Sequence, residues 1–194
     1  QCSSIISPEW IRENPDATRE MLASHADFLN EISASFYDAT MESVKLETIS
    51  DWIQKQAEAG QEIICVDPVS VAEKTAKPWE DDQKFMNRVK RIARESGARV
   101  ILVTHPKDGA KVFDLDDLAG GQAYKRLSHT VLWLVRHKKT KKSTVCIDGF
   151  NLEDMGHTIS VNLAKVRNGP GNGREIAMRW DSGSLTFEEI GEVL

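Results

Sequence analysis

The chain has 194 residues, is 40% hydrophobic and carries a net charge of −5 at pH 7, which suits one packed domain and argues against a basic coat for nucleic acid. Its three cysteines, Cys2, Cys65 and Cys146, are odd in number and far apart, so they read as reduced residues and not as a disulfide frame or metal cage. No apolar run approaches the roughly 20 residues that span a bilayer and no signal peptide is visible, so the reading is a soluble protein of the cytoplasm with no membrane partner.

In chain order, "CSSIIS" (2–7) predicts a short strand that Pro8 stops. Gln1 opens directly onto that strand, so the chain is expected to be a fragment. Met21, Leu22, His25, Phe28 and Leu29 predict a helix from about Pro15 to Leu29, and "EISASFYD" (31–38) a second strand. Leu46, Ile49, Trp52, Ile53 and Ala57 fall at helical spacing, with Gly60 as the stop. "EIICVDPVSV" (62–71) holds a continuous apolar run, as in a strand buried on both faces of a parallel sheet. A helical stripe of Phe85, Met86, Val89, Ile92 and Ala93 ends at Gly97 and leads into the strand "ARVILVTHP" (98–106).

A short helix follows around 121–127, then the strand "TVLWLVRH" (130–137) and the basic stretch "HKKTKKS" (137–143), read as a solvated hairpin turn. The segments "STVCIDG", "HTISVNLAKVR", "REIAMRW" and "SLTFEEI" predict successive strands joined as antiparallel hairpins. The whole, residues 1–194, reads as a single α/β domain with a mainly parallel sheet flanked by helices.

Ligands of open parallel sheets sit beyond the carboxyl ends of the strands. Glu9, Asp67 and His105 each follow a predicted strand, and Lys165 and Arg167 close another. Two residues apart in a strand, the two cations point to the same face. Together these residues would suit phosphoryl transfer. Asp67 would hold Mg²⁺, Glu9 would polarise a water, His105 would sense the terminal phosphate, and Lys165 with Arg167 would neutralise developing charge. Each also has a plain structural reading. Asp67 suits a cap or turn, Glu9 a first-turn acid, and the cation pair a solvated hairpin.

The segments "SSIISPEW", "IICVDPVSV", "RVILVTHP", "DLAGGQAYKRLSHTVLWLVRH" and "LAKVRNGPGNGREIAMRWDSGSLTFEE" follow one another across nearly the whole chain. Their order and separation resemble the RecA-like ATPase core of DnaB-type replicative DNA helicases. The Lys-x-Arg-Asn-Gly-Pro run is the most specific part of the likeness. The resemblance implies a RecA-like P-loop NTPase fold and an ATP- and Mg²⁺-dependent motor on single-stranded DNA. It also implies a hexameric ring and a primase as neighbour, in a bacterial or phage-infected cell. It makes Glu9 the catalytic base, Asp67 the Walker B aspartate and His105 the γ-phosphate sensor. Lys165 and Arg167 become a pair inserted into the neighbouring subunit's nucleotide, with Arg167 as the arginine finger.

The sequence departs from that pattern in holding no G-x-x-x-x-G-K-[ST] loop, so the first core strand and the phosphate cradle are expected to lie upstream. ATP binding by this chain alone is expected to be weak or undetectable. Lys111, Gly120, Gly121 and Lys125 stand where a DNA-facing loop would follow the sensor, since glycines permit movement and lysines hold phosphates without base preference. Two other readings remain open: a RecA-like ATPase that loads or recombines DNA without unwinding it, and a non-catalytic RecA-like DNA- or protein-binding module.

Overall fold

In a computed structural model the described residues are 8–39, 43–106, 115–118, 122–182 and 185–194. The chain divides into two compact units, one of residues 42–135 with 160–175, the other of residues 1–41, 136–159 and 176–194. The expected strand at 2–7 lies outside the described residues.

The first unit is organised by α4 (Leu46–Glu58), β1 (Ile63–Val66), α5 (Pro78–Ser96), β2 (Arg99–Leu102) and α6 (Gln122–Leu127), after α1 (Pro8–Glu13), α2 (Pro15–Ser24) and α3 (Ala26–Ser33) of the other unit. Leu46, Ile53 and Ala57 bury one stripe of α4, and Phe85, Met86, Val89 and Ile92 bury one stripe of α5. These stripes meet Ile64, Tyr124, Val131 and Trp133 in a single apolar cluster, each fully buried aliphatic side chain contributing about 1.5–3 kcal/mol. Pro78 opens α5, and Gly97, at φ 78° in the left-handed region, receives the chain at its end with its N–H on the Ala93 carbonyl.

Helix α5 is the crossover that lets β1 and β2 run parallel, with Ile63 opposite Arg99 and Val66 opposite Leu102. The apolar cluster takes only alternate positions of the pair, Ile64 and Val66 with Val100 and Leu102. Ile63 and Ile101 on the other face are 64% and 51% exposed. The expectation of strands buried on both faces is thus corrected.

The second unit begins with α1 (Pro8–Glu13), α2 (Pro15–Ser24) and α3 (Ala26–Ser33), with no buried residue in α2 or α3. The strand expected at 31–38 does not form. Phe28, Leu29 and Ile32 recur at intervals of three and four, a helical period, and α3 runs on through Ser33.

The remaining strands are β3 (Thr130–Ile147), β4 (Asn151–Val166), β5 (Glu175–Asp181) and β6 (Thr186–Val193). They are hydrogen-bonded in the order β3-β4-β5-β6, with β6 back on β3 so that the four close on themselves. Short turns force neighbours to run antiparallel, and β6 pairs β3 with Val145 opposite Val193. The turn between β3 and β4 is Asp148-Gly149, both at positive φ (52° and 77°), closed by the Phe150 N–H on the Ile147 carbonyl at 3.2 Å. That is the twist-matched hairpin turn. The stretch 137–143, expected to be a turn, lies inside β3 instead.

These pairings overturn the mainly parallel, RecA-like sheet. Among the described residues the parallel sheet has two strands, and the four later strands form a separate antiparallel sheet instead of finishing the parallel one. The physical reason lies in the connections: α5 links β1 and β2 by a crossover, whereas β3 to β6 follow one another through turns too short for one. Among the described residues no helix is long and apolar enough to cross a membrane.

Gly191 shows how closely β6 lies on β3, since a Cβ there would stand 2.5 Å from the Cys146 carbonyl oxygen. Backbone must move to admit it. Gly191→Ala is expected to lower stability by about 1–3 kcal/mol in chemical denaturation.

Candidate functional site

The parallel register fixes what stands at the carboxyl ends of β1 and β2. The Val103 N–H donates to the Val66 carbonyl at 2.9 Å, and the Val69 N–H donates to the Val103 carbonyl at 2.8 Å. Asp67 is therefore held beside the start of the Thr104-His105 segment, and both Asp67 and His105 are exposed. These two sequence-predicted residues thus follow strands that end on the same side. Glu9 is in the other unit, in the first turn of α1, exposed and paired with Arg12 at 3.2 Å.

Lys165 and Arg167 do aim together from the end of β4, and what they meet is the C-terminus of α6. The Lys165 Nζ donates to the carbonyls of Lys125, Arg126 and Ser128, the last at 2.9 Å. The Arg167 Nη2 donates to the Arg126 carbonyl at 2.6 Å, and its backbone N–H to the His129 carbonyl at 3.0 Å. A helix end leaves its last carbonyls without intrahelical partners and carries partial negative charge, so two cations are well placed there. Burial lowers the Lys165 pKa, and the Arg167 and Lys90 charges lower it further.

Of the residues expected to face DNA, Lys125 is described, and its Nζ pairs with Asp116 at 2.6 Å. Lys111, Gly120 and Gly121 lie outside the described residues.

A buried polar cluster escaped the sequence reading. Asp82, 3% exposed, lies 2.8 Å from the Lys74 ammonium and accepts a hydrogen bond from the Tyr124 hydroxyl. Burial pushes the Asp82 carboxyl above its ordinary range, and Lys74 pulls it part of the way back. Burial, followed by the Asp82 charge, raises the Tyr124 hydroxyl pKa. The signal was available: residues 82, 85, 86 and 89 share one helical face, so Asp82 belongs to the buried stripe of α5. The cluster ties the 74–75 segment, α5 and α6 together, and Thr75 adds a 2.7 Å hydrogen bond to Asp81.

The residues fit Mg²⁺-ATP in part. Asp67 offers an exposed carboxylate suited to a hydrated Mg²⁺, and Thr104 brings a hydroxyl to the adjacent strand end. The sequence contains no glycine-rich loop with its lysine to cradle the β- and γ-phosphates.

Asp82 sets a pH dependence. Its folded pKa is raised, so the folded state holds the proton more tightly than the unfolded chain, and its contribution to stability falls as pH rises from the ordinary aspartate range through the folded value. Urea denaturation across pH 4–7 is therefore expected to show wild type losing stability relative to Asp82→Asn as pH climbs. A constant difference would contradict this.

No protein-family model matches the chain, and no curated protein matches it.

Proposed function

We propose that this chain is part of an ATP-driven, DnaB-type motor that moves along single-stranded DNA as a hexameric ring. The observation that carries the reading is the parallel β1–β2 pair, whose strands end on the same side, with Asp67 following β1 and Thr104 and His105 following β2. In this reading Asp67 supports the hydrated Mg²⁺ and His105 senses the terminal phosphate. Glu9 polarises the attacking water, and a primase is a neighbour. Lys111, Gly120, Gly121 and Lys125 follow the DNA strand. Lys165 and Arg167 serve the nucleotide of the adjacent subunit, with Arg167 as the finger.

That last role requires an exchange of partners, from the α6 carbonyls to phosphate oxygens. The exchange is favourable in kind, since a phosphate oxygen carries a full charge toward the cation whereas a carbonyl is neutral. A second reading has support from the same geometry. Both cations already have acceptors within their own unit, as a non-catalytic DNA- or protein-binding module would keep them.

A complementation experiment separates the two. A complete DnaB-type motor whose own finger arginine has been replaced is mixed with this chain, and DNA-stimulated ATP hydrolysis is measured. Arginine fingers contribute about 10³–10⁵ in rate, so the chain is expected to restore turnover and Arg167→Ala to abolish the gain. No gain at any mixing ratio would overturn the motor reading and leave the non-catalytic module.

A further inference from the structure

The most one-sided charge in the protein lies on β3. Acidic residues outnumber basic ones in the whole chain, 30 to 25, yet the 18 residues of β3 contain no acid. Five cations, Arg136, Lys138, Lys139, Lys141 and Lys142, fall within seven residues. Because this stretch is regular strand, its side chains alternate between faces. Burial follows that alternation except at Lys139, which is exposed: Arg136, Lys138, Thr140, Lys142 and Thr144 are exposed, whereas His137, Lys141 and Ser143 between them are partly covered. Arg136, Lys138 and Lys142 thus form an outward stripe, alternate positions being about 6.6 Å apart and the ends about 20 Å apart.

The neighbouring strand does not neutralise the stripe. Asp154 accepts a 2.7 Å hydrogen bond from the Thr144 hydroxyl, at the end of the stripe. Gly156 adjoins Thr140 so closely that a Cβ would stand 2.7 Å from the Thr140 methyl, which leaves bare backbone beside the middle of the row. Among the described residues no ion pair engages Arg136, Lys138 or Lys142. Like charges along one strand face repel, and a single lysine is enough to discourage edge-to-edge strand pairing. A row of unneutralised cations exceeds that need.

We propose that the outward face of β3, through Arg136, Lys138 and Lys142, binds the phosphate backbone of single-stranded nucleic acid without reading its bases. A row of cations along one strand face, with gaps of about 6.6 and about 13 Å, matches a linear polymer with one charge per nucleotide. Leu132 and Leu134, exposed at the preceding alternate positions of β3, are the apolar side chains a lipid surface would use, so vesicles form the competing arm of the test. The site is separate from the strand-end residues and needs no nucleotide, so it stands or falls independently of the motor reading.

The test is fluorescence anisotropy with a labelled 20-nucleotide oligothymidylate and no ATP. At about 50 mM salt the chain is expected to bind with a Kd of about 10 µM or tighter, and three phosphate contacts give a slope of about −2 in log K against log salt. The triple variant Arg136→Gln, Lys138→Gln, Lys142→Gln is expected to bind at least tenfold more weakly and to flatten that slope. Lys138→Gln alone, a milder change at an exposed position, is expected to weaken binding about threefold, as one phosphate contact of several would. The equally charged control Lys55→Gln, Lys84→Gln, Arg94→Gln is expected to bind as wild type. Absence of binding by wild type, or equal loss in the two triple variants, would overturn the proposal. So would binding to phosphatidylserine vesicles in place of the oligonucleotide.

Discussion

Two parallel strands cannot be joined by a tight turn, and much of the first unit follows from that restriction. The chain leaving β1 must travel the length of the sheet before β2 can begin, and α5 is the return path. A crossover helix has to bury one face on the strands it connects, which is why Phe85, Met86, Val89 and Ile92 share a stripe and why α4 packs beside it. Asp82, on the same stripe, is carried inside and needs Lys74 and Tyr124 as partners. The crossover also makes both strands end on the same side, so Asp67 and His105, 38 positions apart in the sequence, each follow a strand at that one side.

The end of α6 imposes a second demand. Its last carbonyls require donors, and Lys165 and Arg167 supply them from the end of β4. Any nucleotide that recruits these cations competes with the helix end for them. Neutral carbonyls are weaker acceptors than phosphate oxygens, so the pair can be stored against the helix and still respond to a charged ligand. Lys165 is the more committed of the two, with three carbonyls around its ammonium and a lowered pKa that reflects its burial and the nearby Arg167.

How far the sequence was legible depended on the range of the interaction involved. Helices α4 and α5 were readable because a 3.6-residue stripe and a terminal glycine are both local signals. The β1 run was readable as a strand but not as a strand with one exposed face, since a short apolar run looks the same when one neighbour or two cover it. At 31–38 the helical period prevails over the strand reading, because Phe28, Leu29 and Ile32 continue the helix. At 137–143 charge was mistaken for a turn, while Asp148-Gly149 a few residues later carried the stronger turn signal. Among the described residues the mainly parallel sheet expected from the alternation of strands and helices is not formed.

For the candidate site, the strand-end rule located Asp67 and His105, and the two-residue spacing foretold that Lys165 and Arg167 would point together. Their destination on α6 lies about 40 residues away in sequence, beyond any local pattern. The most direct measurement of the central claim, that these cations reach a neighbouring subunit's phosphates, uses an acyl-phosphate analogue of ATP, which acylates lysines beside its terminal phosphate. Bound to a complete DnaB-type motor in the presence of this chain, the analogue is expected to modify Lys165 well ahead of exposed Lys55, with no such preference from a nucleotide-free acyl phosphate. Equal labelling of Lys165 and Lys55 would contradict the claim.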